Sequence, residues 1–586
     1  MQRLSKRLSG NDMEQKREWF GVYRFRLSVR GIMVALLCSC SIPSHSLAEE
    51  PPPDKEYFEI VKSIDLLGEV YREVSKNYVD QLNVGQLMYA GIDGMLRTLD
   101  PYTAFLDEND AGELDEQTNG QYVGIGITIA TLEGKFFVTS VAAGHPAAKA
   151  GIRVGDSIAA INNKEVNNIS PEEVKSLIKG PVGTSMIFRL ERQGVLPFSV
   201  TLVREEVRVT TVSYSSIIDG VGYLEMKSFG AHSAAELREA LQGLLQQARE
   251  SHVPLKGVIL DLRNNPGGLL NAAVDVASVF IAQGSEVVSI RGRLSDAVKS
   301  YPTEVPPVDV AIPLVVLINN QSASAAEIVS GAIQDLDRGI IVGERSFGKG
   351  LVQSVVKISY DSSLKLTIAK YYTPSGRLIQ KEVKMAEGKR QPLPKAHGED
   401  AARVFKTKNG RNVYGGGGIM PDMTISEPPT SPYFAELRKR GLTFLFATEY
   451  CAAYPVKPPS PVDRQALMLS FGDFLRKKQF VYTSEAERRF NELKESVTKS
   501  QTAVDESRLK SLSVLQQTIE SMKAQEIERS SNDVAAALEV EILRHYDDLL
   551  ARKAELGHDL AVKKAIELLS DAAKYSSALQ PAAPGK

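Results

Sequence analysis

Between residues 208 and 380 the chain alternates short apolar runs with stretches of helical periodicity, and this alternation constrains the fold more than any other feature. Each apolar run has the length of one buried strand, and the runs are Val221–Met226, Gly257–Leu262, Leu314–Ile318 and Ile340–Gly343. The helical stretches between them cover residues 233–250, 268–282 and 323–336. A regular succession of strand and helix predicts a layered α/β domain, in which helices cover a sheet.

Two of these strands run into turns that suit catalysis. Residues 263–268 read Arg-Asn-Asn-Pro-Gly-Gly, and consecutive glycines before a helix free backbone N–H groups that can hold developing negative charge. The structural alternative is a tight turn that needs glycine for its dihedral angles. The second turn carries Ser324, and a strand-to-helix turn is where a nucleophilic serine is held. Its structural alternative is a capping box, because Glu327 stands three residues later.

A nucleophilic serine needs a base, and Lys349 is the best candidate because none of the histidines falls in a strand-to-helix turn of the α/β region. Lysine acts as a base when burial lowers its pKa towards neutrality. The alternative for this Gly-Lys-Gly segment is a phosphate-binding loop. That template requires Ser or Thr after the lysine and a helix, whereas here Gly350 follows and leads into a strand.

The N-terminal 48 residues are typical of a secretory signal peptide. Basic residues up to Arg30 precede an apolar run that begins at Ile32, and this run is too short to span a bilayer. The small residues Ser46 and Ala48, at positions −3 and −1, predict cleavage after Ala48, and a retained anchor or a lipid on Cys38 or Cys40 are the alternatives. The expected location is therefore outside the cytoplasm: periplasmic, or membrane-associated on the periplasmic side.

Charge and cysteine content exclude several classes of protein. The formal net charge is −2, which gives no general attraction for nucleic acid. Cleavage would leave Cys451 as the single thiol, so no intramolecular disulfide is expected, and its surroundings suggest a buried structural residue and not a nucleophile. A proline cluster at 455–461 predicts a boundary, and the polar, Ala-, Glu-, Lys- and Leu-rich stretch 462–580 predicts a helical extension.

Taken together, these motifs resemble the carboxyl-terminal processing, or tail-specific, serine peptidases of bacteria and plastids. Ser324 and Lys349 stand 25 residues apart, as in that family, and Gln353 matches the third member of its catalytic set. On a strand, positions 349 and 353 share a face, so the Gln353 amide can orient the lysine amine. The other matching segments are Ser322–Glu327, Phe347–Gly350, Arg263–Gly268, Leu99–Phe105 and Gly417–Asp422. Ala326 departs from the many relatives that have a second serine there.

The resemblance also implies a PDZ domain near residues 118–205. A strand of this domain opens with Gly124, Ile125, Gly126 and Ile127, whose backbone N–H groups would be offered to a carboxylate. The exposed edge of the same strand would accept an extended peptide as an added strand. A simple β-turn is the alternative for this Gly-x-Gly. A dinucleotide fold would need a third glycine, and Ile129 stands in its place.

The expected fold class is a multidomain α/β protein with a helical N-terminal segment, a PDZ domain, a crotonase-like α/β peptidase core and an all-helical C-terminal extension. The expected domains are a signal peptide (1–48), an N-terminal helical region (49–115), the PDZ domain (116–206), the serine peptidase core (207–430) and the extension (431–586). No residue-level role follows for the extension, whose candidate partners are a second copy of the chain or an adaptor.

The expected function is an exported serine endopeptidase that recognises the apolar C-terminal tails of protein substrates and needs no metal or cofactor. The resemblance implies Ser324 as nucleophile, Lys349 as base and Gln353 as the residue that positions Lys349. Gly267 or Gly268, together with Ala325, would hold the oxyanion. One alternative is a non-catalytic PDZ scaffold on an inactive core. Another is a crotonase-like acyl-transfer enzyme, which leaves the PDZ segment unexplained.

Overall fold

The computed structural model describes residues 55–293, 298–381, 383–386, 389–392, 403–426, 428–457, 463–499 and 506–581. The expected signal peptide, with Cys38 and Cys40, lies outside the described residues. Among those that are described, no helix combines the length and the apolar character needed to cross a membrane. The chain divides into two compact units, the second of which begins at Tyr89.

The N-terminal region is helical, as expected, but it forms two helices. These are α1 (Lys55–Asn77) and α2 (Val84–Leu96). The side chain of Asn83 accepts a hydrogen bond from the backbone N–H of Gln86 and so caps α2. A short strand, β1 (Ala104–Leu106), and a third helix, α3 (Glu108–Asn119), follow.

The next region is a small antiparallel sheet with two short helices. Its elements are β2 (Gln121–Gly124), β3 (Ile127–Leu132), β4 (Lys135–Val141), α4 (Pro146–Lys149), β5 (Ser157–Ile161), β6 (Lys164–Glu165), α5 (Pro171–Ile178), β7 (Ser185–Glu191), β8 (Phe198–Val203) and β9 (Glu205–Arg208). The sheet order is β3-β4-β5-β7-β8, and β2 pairs separately with β9. The side chains of β7 alternate between buried and exposed, which is the pattern of a sheet with one face on a core.

The α/β core is built around a central sheet with the order β10-β11-β12-β15-β16-β23, in which β10 alone is antiparallel to its neighbour. Its elements are β10 (Val212–Ile218), β11 (Val221–Met226), α6 (Ser233–Glu250), β12 (Val258–Asp261), α7 (Leu270–Ala277), β13 (Glu286–Gly292), β14 (Lys299–Pro302), β15 (Leu314–Ile318), α8 (Ala325–Asp335), β16 (Ile340–Gly343), β17 (Leu351–Lys357), β18 (Ser363–Tyr372), β19 (Val383–Ala386), β20 (Lys389–Pro392), β21 (Val404–Lys406), β22 (Asn412–Tyr414) and β23 (Met423–Thr424). The core strands and α6 thus lie where the hydrophobic pattern predicts them.

Both faces of the central sheet are buried, which explains why its strands are apolar throughout and do not alternate. One face packs against α6, α7 and α8 through a large cluster that includes Leu260 and Val316. The opposite face carries Ile259 and Val315, which belong to a second cluster. A separate sheet, with the order β1-β18-β13-β14, also holds β17 against β18.

Within the described residues, the C-terminal region consists of helices and their connections from residue 432 onwards. It comprises α9 (Pro432–Lys439), α10 (Leu442–Ala453), α11 (Arg464–Lys477), α12 (Glu485–Lys499), α13 (Glu506–Arg529), α14 (Ser531–Tyr546), α15 (Asp548–His558), α16 (Leu560–Leu569) and α17 (Ala572–Ala578). Helices on both sides of the predicted boundary at 455–461, α10 and α11, pack into the same hydrophobic cluster through residues such as Phe446 and Phe471.

Candidate active site

The turns that follow β12 and β15 meet at one edge of the central sheet, because the two strands are parallel neighbours. The Asn319 side chain joins them: its Oδ1 accepts from Asn264 N at 2.9 Å, and its Nδ2 donates to Asn264 Oδ1 at 2.8 Å. Gly267 lies so close to the second turn that a Cβ at this position would stand 2.8 Å from Ser324 Cβ. Glycine is therefore required where the two turns touch.

The backbone of Ser324 has φ 54° and ψ −113°, a conformation that residues other than glycine rarely adopt. Strained residues of this kind concentrate at functional sites, and a serine on a strained strand-to-helix turn presents its hydroxyl at the end of the sheet. Ser324 and Glu327 also form the capping box that the sequence allowed, in which Glu327 Oε2 accepts from the Ser324 backbone N–H at 2.8 Å. Ser322, by contrast, is buried, and its Oγ donates to Leu262 O at 2.8 Å, so that this serine holds the turn together.

Glu327 ties the serine turn to the lysine loop. Its Oε2 accepts hydrogen bonds from the backbone N–H groups of Ser324 and Lys349, both at 2.8 Å. Its Oε1 accepts from Ser346 Oγ at 2.5 Å and from Gly348 N at 2.7 Å. Burial raises the pKa of the Glu327 carboxyl, although these donors oppose the rise. The sequence indicated only a helix cap at Glu327, because contacts between distant loops leave no local pattern.

The amine of Lys349 contacts Gln353, the residue that the sequence predicts to orient it. Lys349 Nζ donates to Gln353 Oε1 at 2.8 Å, although Lys349 precedes β17 and the strand pairing is irregular after Val352. Gln353 Nε2 in turn donates to Tyr102 O at 2.7 Å, and the Tyr102 ring centroid lies 5.0 Å from Lys349 Nζ. The backbone carbonyl of Tyr102 therefore fixes which end of the Gln353 amide faces the lysine.

The surroundings of Lys349 favour its neutral form. Desolvation by burial lowers the pKa of Lys349, and the positive charge of Lys365 lowers it further. The negative charges of Asp100 and Glu327 act in the opposite direction, but the net shift is downward. A neutral amine can accept a proton, so the environment suits a general base.

Backbone N–H groups beside Ser324 form a candidate oxyanion site. Gly267 N donates to Asn265 Oδ1 at 2.8 Å, so this group is already engaged. Within the described residues, neither Gly268 N nor Ala325 N donates to a protein acceptor. Gly268 has a φ of 151°, and a Cβ on it would come within 2.1 Å of Phe229 O. Gly268 and Ala325 are thus the pair whose N–H groups remain available.

One cavity of about 760 Å³ brings the predicted site residues together, and its lining includes Ser324, Lys349, Gln353, Gly267 and Gly268. Both Ser324 and Lys349 line this cavity, but no hydrogen bond between Ser324 Oγ and Lys349 Nζ is present among the described contacts. Such bonds are often long in the absence of substrate and shorten in its presence. The apolar part of the wall includes Phe229, Leu270, Ile328, Val352 and Tyr371.

Tyr371 is a further contact that the sequence did not reveal. Its buried hydroxyl donates a hydrogen bond to the backbone carbonyl of Lys349 and lies 3.2 Å from the backbone carbonyl of Ser324.

In the described part of the chain, no group of three or more His, Cys, Asp or Glu side chains is arranged to hold a metal ion.

The four residues expected to bind a substrate tail lie where β2 ends and β3 begins. Gly124 ends β2, Ile125 is buried, and Gly126 has a φ of 76° beside His145. In the described structure, β3, which starts at Ile127, pairs with β4 alone, so its other edge is open. The Ile125 and Gly126 N–H groups make no protein hydrogen bond within the same part of the chain.

Three protein-family models match the chain. They describe peptidase family S41 (residues 220–386), a PDZ domain (137–192) and a probable PDZ-protease C-terminal helical domain (434–569). Among solved structures, a photosystem II D1 C-terminal processing protease is 28% identical and matches with a TM-score of 0.33, over 63% of this chain and 94% of that one.

Two curated relatives are similar over about half of this chain. The carboxy-terminal-processing protease of Bartonella bacilliformis is 36% identical over 324 residues, which are 54% of this chain and 73% of that protein. The carboxy-terminal processing protease CtpA of Bacillus subtilis is 33% identical over 322 residues, 54% of this chain and 67% of that protein. The chain therefore belongs to peptidase family S41 and is a carboxy-terminal processing serine protease with a PDZ domain.

Proposed function

We propose that this serine protease cleaves peptide bonds with a Ser324–Lys349 dyad and selects its substrates by their apolar C-terminal tails. The observation that carries the dyad is that both side chains line one cavity while the backbone N–H groups of both residues bond to a single carboxylate oxygen of Glu327. We further propose export through the signal-like segment, which would place the enzyme in the periplasm or on the periplasmic side of a membrane.

The proposed first step is attack of Ser324 Oγ on the scissile carbonyl carbon. Neutral Lys349 Nζ accepts the hydroxyl proton and returns it to the leaving amine, so the C–N bond breaks and the tail fragment departs with a new N-terminus. Water then attacks the acyl-enzyme and gives a proton to Lys349, which passes it to Ser324 Oγ as the ester bond breaks and the new C-terminal carboxylate is released. The Gln353 amide holds Lys349 in place throughout, since its Oε1 is the acceptor for Nζ.

The oxyanion of each tetrahedral intermediate would be held by Gly268 N and Ala325 N. These donors are fixed by the close approach of the glycine turn to Ser324, so they need little reorganisation when charge develops. One such donor contributes about 3 kcal/mol in comparable sites. The apolar wall of the cavity favours an apolar side chain beside the scissile bond.

Tail recognition is assigned to the PDZ domain. An extended peptide can add to the open edge of β3, and its terminal carboxylate can accept from the Ile125 and Gly126 N–H groups. An apolar last side chain would enter the hydrophobic core region that Ile127 and Ile129 border. Proteins with apolar C-terminal tails are therefore the proposed substrates.

The test is cleavage of an unfolded reporter protein with an apolar C-terminal tail. We expect Ser324→Ala and Lys349→Ala to abolish cleavage, and the exposed-residue controls Ser199→Ala and Lys357→Ala to retain it. Replacing the last tail residues by acidic ones should raise KM more than it lowers kcat. Cleavage by Ser324→Ala at the wild-type rate would overturn the dyad, and equal cleavage of both tails would overturn tail recognition. An inactive wild type would favour a scaffold.

A further inference from the structure

The last helices of the chain form one layer of the peptidase core. Residues of α16 and α17 cover the face of the central sheet that α6, α7 and α8 leave open, and they share a cluster with Ile259 and Val315. Leu569 packs so closely on the chain just before β12 that a Cβ on Gly257 would lie 2.6 Å from its Cδ2. The buried Tyr575 hydroxyl accepts from Leu314 N at 2.8 Å and donates to Leu314 O at 3.1 Å.

At the end of this layer, a carboxylate of the helical domain reaches the glycine turn of the active site. Asp559 precedes α16 and caps it, with its Oδ1 accepting from Val562 N at 3.0 Å. Its Oδ2 lies 2.7 Å from the guanidinium of Arg263. The Arg263 and Asp559 side chains are only 13% and 14% exposed, so this ion pair is shielded from water far more than a surface pair.

Arg263 begins the turn that carries the proposed oxyanion donor. Its guanidinium also binds Asp261 at the end of β12, and its backbone N–H donates to Asp261 Oδ1 at 2.9 Å. Arg263 is thus held between a carboxylate of the sheet and a carboxylate of the helical domain. Five residues later, Gly268 lines the cavity that Ser324 also lines.

A second helix engages the same end of the sheet. Arg552 of α15 binds Glu225 on β11 and lies 3.2 Å from the Tyr223 hydroxyl, which itself donates to Asp261 Oδ2 at 2.6 Å. Glu225 and Asp261 are direct neighbours in the sheet. The C-terminal helices therefore contribute one carboxylate, from Asp559, and one guanidinium, from Arg552, to a single charge network. This network lies where the glycine turn leaves the sheet.

We infer that Asp559 is a positioning residue of the peptidase, which holds Arg263 and thereby fixes the turn that aims Gly268 N at the oxyanion. This inference rests on the proposed function, because it takes Gly268 as an oxyanion donor. Asp559 touches neither substrate nor reacting atoms, so its loss should weaken binding of the transition state and leave binding of the substrate almost unchanged. The helical domain would then contribute directly to turnover.

The experiment compares Asp559→Asn and Asp559→Ser with Asp571→Asn in the full-length enzyme. Asp571 is the matched control, since it caps the neighbouring helix α17 through Ala573 N and Lys574 N. Asn and Ser both serve as helix caps, so each substitution removes the charge and keeps the cap. The measurements are kcat and KM for the reporter, the thermal unfolding midpoint, and the inhibition constant of a peptidyl boronic acid, which forms a tetrahedral adduct with the serine.

For both Asp559 variants we expect kcat to fall about 5- to 30-fold, KM to stay within about twofold, and boronate inhibition to weaken by a similar factor to kcat. Asp571→Asn should match the wild type in kcat, KM and boronate inhibition. Wild-type kcat and boronate inhibition in Asp559→Asn would overturn the inference, as would an equal loss in Asp571→Asn. Activity in Ser324→Ala would instead count against the proposed function, so the two failures are distinguishable.

Discussion

Lys349 Nζ donates a hydrogen bond to Gln353 Oε1 across 2.8 Å. The opposite end of the Gln353 amide is engaged by Tyr102 O, so the oxygen end is the one that faces the lysine. A neutral acceptor at this position orients the amine without adding a negative charge that would favour its protonation. The choice of glutamine over glutamate therefore matters for a lysine that is proposed to act as a base.

Gln353→Glu should shift the pH dependence of cleavage. The new carboxylate beside Nζ would favour the ammonium form, raise the pKa of Lys349 and move the acidic limb of kcat/KM to higher pH. We expect at least a tenfold loss at pH 7 that is partly recovered at pH 10, measured as a full pH–rate profile. Gln353→Met, which removes orientation without adding charge, should lower activity with an unshifted limb, and a shared profile for the two variants would refute this account.

Lys365→Met should move the same limb in the same direction for a different reason. The charge of Lys365 lowers the pKa of Lys349, so its removal raises that pKa. A base with a depressed pKa loses activity only as the pH falls through that lowered value, so a higher pKa means earlier loss on acidification. Lys370→Met is the control, because Lys370 is an exposed residue of the same strand, β18. Identical profiles for the wild type and Lys365→Met would contradict the prediction.

Glu327→Gln should impair catalysis and folding together. The four donors around the Glu327 carboxylate need acceptors, and an amide offers only one oxygen, so two backbone or hydroxyl donors would face its NH₂ group. We expect kcat to fall by about 100-fold and the thermal midpoint to drop, since each hydrogen bond to a charged group contributes about 1.5–3 kcal/mol. Unchanged kcat and an unchanged midpoint would show that Glu327 does not connect the two loops.

The sequence predicted those parts of the site that depend on local pattern. Continuous apolar runs predicted three strands that the structure has with the same bounds, namely Val221–Met226, Leu314–Ile318 and Ile340–Gly343. The contact between Lys349 and Gln353 was predicted from the family resemblance and from a shared strand face, although Lys349 precedes β17.

Contacts between distant parts of the chain could not be predicted in the same way. Tyr102 and Gln353 are 251 positions apart, and Tyr575 and Leu314 are 261 apart. Their pairing depends on how layers pack, which hydrophobic periodicity does not specify. For the same reason, no residue-level role for the helical extension followed from the sequence, whereas its last helices form a layer of the core.

Tyr575→Phe should lower the stability of the peptidase core although it lies far from the active site in sequence. The Tyr575 hydroxyl bonds both polar backbone groups of Leu314, at the start of the strand that leads to Ser324. Its removal leaves a buried N–H and a buried C=O without this partner, which costs about 1–3 kcal/mol. We expect a lower thermal midpoint and faster limited proteolysis, with kcat per folded enzyme unchanged. Tyr360→Phe, at a residue that is 94% exposed, should leave the midpoint unchanged. Equal midpoints for the two variants would mean that α17 contributes no stability through this hydroxyl.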